Sequence, residues 1–152
     1  MKKNFLYHGS TALIEDYLVP KKANDSRNIK ENNLTAVYAT DIKDLAIVMG
    51  FLKSVKPFNL LTKLVLIEIE EDLVIPKGIV YGKEYTLNEK IYLYILPRQN
   101  FLKCVSTPYQ YVSEKLIKPL ETIEISLKNY KKSIRPANKV ERFFQFFKND
   151  IH

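Results

Sequence analysis

Short apolar segments, several with a period of two, are the feature that most constrains how this chain can fold. Residues 63–72 (KLVLIEIEED) and 121–127 (ETIEISL) alternate apolar and polar residues, which predicts strands with one buried face. Residues 91–97 (IYLYILP) are apolar on both faces, which predicts a central strand buried on two sides. Prolines separate the segments and glycine is scarce. Strands are predicted over residues 4–8, 35–39, 64–70, 78–81, 91–96, 101–105, 109–113 and 121–126.

Helical patterns are fewer. Residues 40–55 open with a Thr-Asp capping signal and then carry apolar residues on one helical face, namely Leu45, Val48, Met49 and Leu52. Residues 12–18 are interpreted as a short helix or an irregular crossing. Residues 21–34 are polar and lack periodicity, so we predict an exposed loop there.

Many strands and few helices predict an α+β domain with a mixed, largely antiparallel sheet. We assign residues 1–127 to this domain. Residues 128–152 are interpreted as a basic connector and an amphipathic helix packed on the same domain. We expect the apolar face of that helix to dock on the sheet, through Val140, Phe143, Phe144 and Phe147.

The composition bounds the protein class. No run of residues is long and apolar enough for a membrane span, and the apolar run near the N-terminus is three residues, so we expect a cytoplasmic protein. A net charge of +7 could attract nucleic acid or a nucleotide, although lysines that only keep a surface soluble explain it at least as well. Cys104 is the single cysteine, which excludes an internal disulfide and predicts a structural thiol.

Motifs for phosphate or metal chemistry are missing. The sequence has no Gly-rich loop of the Lys-Ser/Thr type and no paired His-x-x-x-His, so no metal is predicted. Of the two histidines, His152 is the last residue and His8 lies at the end of a predicted strand. His8 is therefore the histidine that a functional site would use.

Two strand ends could form a ligand site together. The segment YHGS (7–10) ends in small and hydroxyl residues, and so does VYATD (37–41). If the strands run side by side, the imidazole of His8 and the phenol of Tyr38 would face one cleft beside the backbone of Gly9, which a flat ligand can approach closely. Such a cleft suits an aromatic amide. A lone His-Gly pair is nevertheless far more often a turn than a ligand site.

The chain resembles the ADP-ribosyltransferase superfamily in the order of three motifs: YHGS (7–10), VYATD (37–41) followed by a helix, and YQYVS (109–113) leading into IKPLETIEI. The similarity is greatest to the His-Tyr-Glu branch of poly(ADP-ribose) polymerases and diphtheria-type toxins, including small bacterial and phage members. It spans most of residues 4–126. It implies an ADP-ribosyltransferase-like split sheet, NAD as the donor substrate, and transfer of ADP-ribose to a protein or nucleic-acid acceptor with release of nicotinamide.

The same resemblance implies roles for individual residues. His8 would bind the adenosine-side ribose, Gly9 would clamp the nicotinamide carboxamide, and Tyr38 would stack on the nicotinamide ring. Ser10 and Thr40 complete the cofactor-binding set, with Thr40 at the start of the helix beneath the pocket. The loop over residues 21–34 would cover the donor.

The third motif departs from that family. Active relatives carry a glutamate there, whereas this chain has Gln110, which brings no negative charge and cannot act as a general base. Losing such a stabiliser costs on the order of 10²–10³ in rate. Glu114 could take the role only with a strand shifted by four residues. Three alternatives to an active transferase remain: a catalytically silent NAD or ADP-ribose-binding module, a basic nucleic-acid-associated protein, and a soluble domain whose His-Gly pair is only a turn.

Overall fold

Two sheets and two helices account for the regular structure of the residues that the structure describes. The computed structural model describes residues 4–22, 34–71 and 73–150, the last five of these by backbone alone. The strands are β1 Phe5–Ser10, β2 Lys21–Lys22, β3 Thr35–Thr40, β4 Thr62–Glu70, β5 Leu73–Val80, β6 Lys90–Pro97, β7 Leu102–Lys103, β8 Gln110–Ser113, β9 Glu121–Ser126 and β10 Ile134–Pro136. The helices are α1 Lys43–Leu52 and α2 Lys139–Asp150, with short 3-10 turns at Leu127–Asn129 and Lys131–Ser133.

The larger sheet has the strand order β7-β8-β3-β1-β6-β9, with β2 also paired to β3. The smaller sheet has the order β10-β5-β4. Its β10–β5 ladder is parallel, whereas the other strand pairs are antiparallel. The chain is thus a single small α+β domain with mostly antiparallel pairing, which confirms the predicted class.

The core has its main layer under α1. A buried cluster joins this helix to both sheets: Ala46, Ile47, Val48, Phe51, Leu52, Val55, Val80, Ile91, Leu93 and Ile134. A second cluster fills the other face of the large sheet and includes Leu6, Leu18, Val37, Ala39, Tyr94, Leu96, Tyr111 and Ile117. Both faces of β6 are buried, and β6 lies between β1 and β9, which confirms the predicted central strand.

Helix α1 is buried around most of its circumference. The predicted face contains Met49, yet Met49 is 37% exposed while Phe51 is fully buried. The helix is covered by the large sheet on one side and β5 on the other, so a single apolar stripe underestimates its buried surface. Helix α1 begins at Lys43, later than the Thr-Asp signal predicts.

The segment interpreted as a basic connector is part of the fold. Ile134 pairs with Gly78 in the β10–β5 ladder, and both Ile134 and Ala137 are buried. The lysines around these two residues are exposed. Because two buried residues among many charged ones form no apolar pattern, the sequence did not predict this strand. The first half of β5 was also missed by the strand predicted over residues 78–81, because a proline such as Pro76 usually marks the end of a strand.

The amphipathic helix forms as α2, but its apolar face is not docked as expected. The exposed fractions of Val140, Phe143 and Phe144 are 62%, 59% and 64%. Phe147 lies outside the side chains that the structure describes. The N-terminus of α2 is capped reciprocally. Asn138 Oδ1 accepts from the Glu141 amide at 2.8 Å, and Glu141 Oε1 accepts from the Asn138 amide at 3.0 Å.

Residues 12–18 form an irregular crossing, the second of the two interpretations given to them. Of the predicted loop over 21–34, residues 21–22 form β2, and residues 23–33 lie outside the described residues. Within the described ranges, no helix is long and apolar enough to cross a membrane.

Candidate functional site

The candidate site begins where β1 and β3 stop pairing. All six residues of β1 pair with β6. On its other side, among the described residues, β1 pairs with β3 only through Tyr7 opposite Thr40. The two strands therefore run side by side, which is the condition stated above for a shared cleft, and the ladder ends just before His8.

The imidazole of His8 connects β1 to β3 beyond the end of their ladder. Its Nδ1 atom lies 2.7 Å from the carbonyl oxygen of Tyr38. A carbonyl oxygen only accepts, so Nδ1 carries the proton and Nε2 presents a lone pair. The ring also lies 6.3 Å from the ring of Tyr94, its cross-strand neighbour on β6. His8 is thus held in one tautomer, in which Nε2 carries a lone pair that can accept a hydrogen bond.

Burial and two lysines keep His8 neutral. The pKa of His8 falls to about 4, first because of burial and then because of the charge of Lys53, with a smaller contribution from Lys21. The bond to the Tyr38 carbonyl opposes this shift. The pKa of Lys53 is itself lowered, by burial and by Lys21. Among the described residues neither lysine pairs with a carboxylate, so the surroundings of His8 are cationic.

Gly9 is required by packing. A Cβ atom on Gly9 would lie 2.1 Å from the carbonyl oxygen of Ala46 and 3.3 Å from the Cα atom of Gly50, both in α1. Both contacts are with backbone, which cannot move aside like a side chain. The close approach of β1 to α1 therefore explains this glycine without a ligand.

Tyr38 lies on the opposite face of the sheet from His8. Its neighbours Val37 and Ala39 pack in the cluster that contains Leu6 and Tyr94, on the His8 side. Because side chains alternate along a strand, Tyr38 projects to the other face, where it packs beside Cys104 and Val112. Its hydroxyl donates to the carbonyl oxygen of Leu34 at 2.7 Å. The structure therefore joins His8 and Tyr38 through a backbone carbonyl and does not bring their rings into one cleft.

Gln110 shares a sheet face with Tyr38 and lies opposite Thr40 in the β3–β8 ladder. Its Nε2 atom lies 3.4 Å from Cys104 Sγ. The preceding residue, Tyr109, has φ of 63°, a left-handed conformation that is uncommon for a bulky side chain. The amide of Gln110 is thus fixed near the end of β3, on the other side of the sheet from the imidazole.

The remaining predicted residues are dispersed. Thr40 is buried, and its Oγ1 accepts from the Ile42 amide at 3.1 Å. Ser10 accepts from the Ala12 amide at 3.1 Å. Glu114 is exposed beyond the end of β8, four residues and roughly 13 Å along the chain from Gln110. The structure does not bring Glu114 and Gln110 together.

Sequence reasoning missed the two lysines and one polar cluster. Lys21 and Lys53 are two of many lysines, so composition offers no signal for them. At the end of β3, Arg98 Nη2 donates to the Tyr111 hydroxyl at 2.8 Å, and this hydroxyl lies 3.3 Å from Asp41 Oδ2. The Arg98 guanidinium also covers the Tyr111 ring at 4.7 Å. These residues stabilise the end of the sheet next to Gln110.

Comparisons with known proteins give no relative: no family model, no curated protein and no solved structure matches the chain. Across the described residues, no group of three or more His, Cys, Asp and Glu side chains is placed to hold a metal ion.

Proposed function

We propose that this chain is an ADP-ribosyltransferase-like protein that binds NAD at the end of the β1–β3 ladder and transfers ADP-ribose to a protein or nucleic-acid acceptor. In this reaction the glycosidic bond to nicotinamide breaks, nicotinamide leaves with the bonding electrons, and an acceptor nucleophile forms the new bond to the ribose carbon. The order of His8-Gly9, Tyr38 and Gln110 along the chain motivates the assignment.

The state of His8 is the observation that carries the binding part of the proposal. A neutral imidazole whose Nδ1–H is bound by the Tyr38 carbonyl can accept a hydrogen bond through Nε2. A ribose hydroxyl is a donor of that kind. A charged histidine would have two donors and no acceptor, so the lowered pKa preserves the required chemistry at neutral pH.

The charge around His8 supports a phosphate-bearing ligand. Lys21 and Lys53 lie close enough to affect the pKa of His8, and Lys21 also lowers the pKa of Lys53. An anionic group between them would relieve this repulsion, and the diphosphate of a dinucleotide is such a group attached to a ribose. The imidazole and the two ammonium groups thus suit different parts of one ligand.

The transfer step has weaker support than binding. Gln110 is neutral, and its amide contacts Cys104 Sγ on the face opposite the imidazole. It could accept a hydrogen bond from a ribose hydroxyl but offers no charge to an oxocarbenium-like transition state. This observation favours a second candidate function, a module that binds NAD or ADP-ribose without turnover.

Incubation with NAD distinguishes the two candidates. We expect saturable binding that weakens in His8→Ala, and release of nicotinamide if the chain transfers ADP-ribose. Saturable binding without nicotinamide release would identify the silent module. Absence of saturable binding at millimolar NAD would reject both.

A further inference from the structure

Strand β4 lies at an edge of the small sheet. It is the outer strand of the small sheet and pairs on one side with β5. Within the part of the chain that the structure describes, no strand pairs with its other side. The strand is nine residues long and contains no proline. A long edge strand presents a row of backbone donors and acceptors to another strand. Near the end of β4, the Tyr109 hydroxyl donates to Glu68 Oε1 at 3.1 Å.

One face of the β4–β5 hairpin is apolar and exposed. On β5, Val74 and Pro76 are buried, whereas Leu73 and Ile75 are 49% and 36% exposed, which identifies the outward face. Ile67 is the cross-strand partner of Ile75 on that face. We call the exposed apolar residues of the hairpin the outer patch: Ile67, Ile69, Leu73 and Ile75. Adjacent exposed apolar residues of this kind mark interaction sites.

Opposite charges flank the outer patch along β4. Lys63 is exposed near the start of the strand, on the outward face by alternation from Ile67. A β-bulge between Glu68 and Glu70 places Glu70 opposite Leu73, so Glu70 also faces outward. The outward side of the strand therefore runs from a cation through apolar residues to a carboxylate.

We infer that β4 is the interface of a two-fold dimer, in which a second copy of the chain pairs antiparallel along β4 with Leu66 at the axis. Without the bulge, Lys63 would lie opposite Ile69 of the second copy. The extra residue of the bulge brings Glu70 to that position. Two equivalent Lys63–Glu70 pairs then form, and the outer patches of both copies become continuous.

Self-complementarity is what favours a second copy over another partner. A two-fold interface uses the same surface on both subunits, so each end of the strip must match the other end. The outward residues of β4 meet this requirement, because in an antiparallel pair the Lys63 end of one copy lies beside the Glu70 end of the other and the apolar centres meet. Directly opposed charges of opposite sign stabilise a strand pair, and like charges destabilise it.

The oligomeric state of the full chain, measured by sedimentation over a range of concentrations, tests the inference. Lys63→Glu and Glu70→Lys each replace both Lys63–Glu70 pairs of the dimer by pairs of like charge. Either change should raise the dimer dissociation constant by about tenfold. The double variant Lys63→Glu/Glu70→Lys restores both pairs and should restore the dimer. Lys118→Glu makes the same charge change at an exposed position outside β4 and should leave the dimer unchanged.

Several results would overturn the inference. One is a wild-type chain that stays monomeric over the whole concentration range. This includes a monomeric chain whose β4 edge binds an added peptide and not a second copy. Another is a dimer that tolerates both single charge changes. A third is a double variant that is no better associated than the single variants, since the partners of Lys63 would then lie elsewhere.

Discussion

His8 donates a hydrogen bond of 2.7 Å from Nδ1 to the carbonyl oxygen of Tyr38, across the gap where β1 and β3 have ceased to pair. This bond fixes the tautomer of the imidazole and gives Nε2 the role of acceptor. The bond also connects the motifs of residues 7–10 and 37–41, on which the proposed function is based. The connection runs through the Tyr38 backbone and not through contact between the two rings.

The stability of the protein should fall as the pH drops from about 6.5 to about 4. The folded-state pKa of His8 is about 4, below the ordinary value of 6.5, so in this range the unfolded chain binds more protons. The full contribution is roughly 3 kcal/mol, from a pKa difference of about 2.5. It is present above pH 6.5 and is lost as the pH falls towards 4.

Denaturant unfolding at pH 7 and pH 5 measures this effect, with His8→Gln as the comparison because glutamine does not titrate. The wild type should lose more stability between the two pH values than the variant does. Equal losses would show that His8 titrates normally in the folded protein.

Gly9→Ala should destabilise the fold by about 2 to 3 kcal/mol. The added methyl group meets the Ala46 carbonyl oxygen at 2.1 Å, so β1 and α1 must separate. Gly82→Ala is the matched control, because the three atoms nearest to a Cβ atom at Gly82 all belong to the flexible Leu60 side chain. Thermal unfolding of both variants checks the prediction, and equal losses of stability would refute a special role for the β1–α1 contact.

Lys53→Ala should raise the pKa of His8 above its value of about 4, since it removes the larger of the two repulsive charges. Lys21→Ala should raise it less. NMR titration of the imidazole in His152→Ala background variants measures these shifts on a single histidine. A pKa that does not respond to Lys53→Ala would contradict the cationic surroundings proposed for the ligand phosphates.

Gln110→Glu tests the catalytic part of the proposed function. If the missing charge is what limits transfer, the variant should release nicotinamide from NAD on the order of 10²-fold faster than the wild type. His8→Ala in the same background should reduce this gain because donor binding is weakened. A variant that binds NAD but gains no turnover would show that Gln110 is not in the position of the catalytic glutamate.

Much of the sheet could be predicted because its signals are local. The two-sided apolar run of residues 91–97 and the alternation in residues 121–127 reflect β6 between two neighbours and β9 at an edge. Strands β2 and β10 gave no such signal, because two or three residues are too few for a period. They form only through partners that lie far away in sequence, Ala36 and Gly78 among them.

The site was harder to predict than the sheet. The strands of His8 and Tyr38 are neighbours, as the hypothesis of a shared cleft required. The faces on which the two side chains lie depend on the strand register, however, and the Tyr7–Thr40 pair places the two rings on opposite sides. Gly9 was interpreted as access for a ligand, whereas its contact with α1 depends on tertiary packing. Lys21 and Lys53 carried no distinguishing pattern among the other lysines.

Titration of the His8 imidazole with NAD, followed by NMR in the His152→Ala chain at neutral pH, tests whether His8 binds the dinucleotide through Nε2. We expect a saturable change in the Nε2 resonance with little change at Nδ1, which keeps its bond to Tyr38, and a weaker response in Lys53→Ala. No change in either nitrogen at millimolar NAD would contradict it.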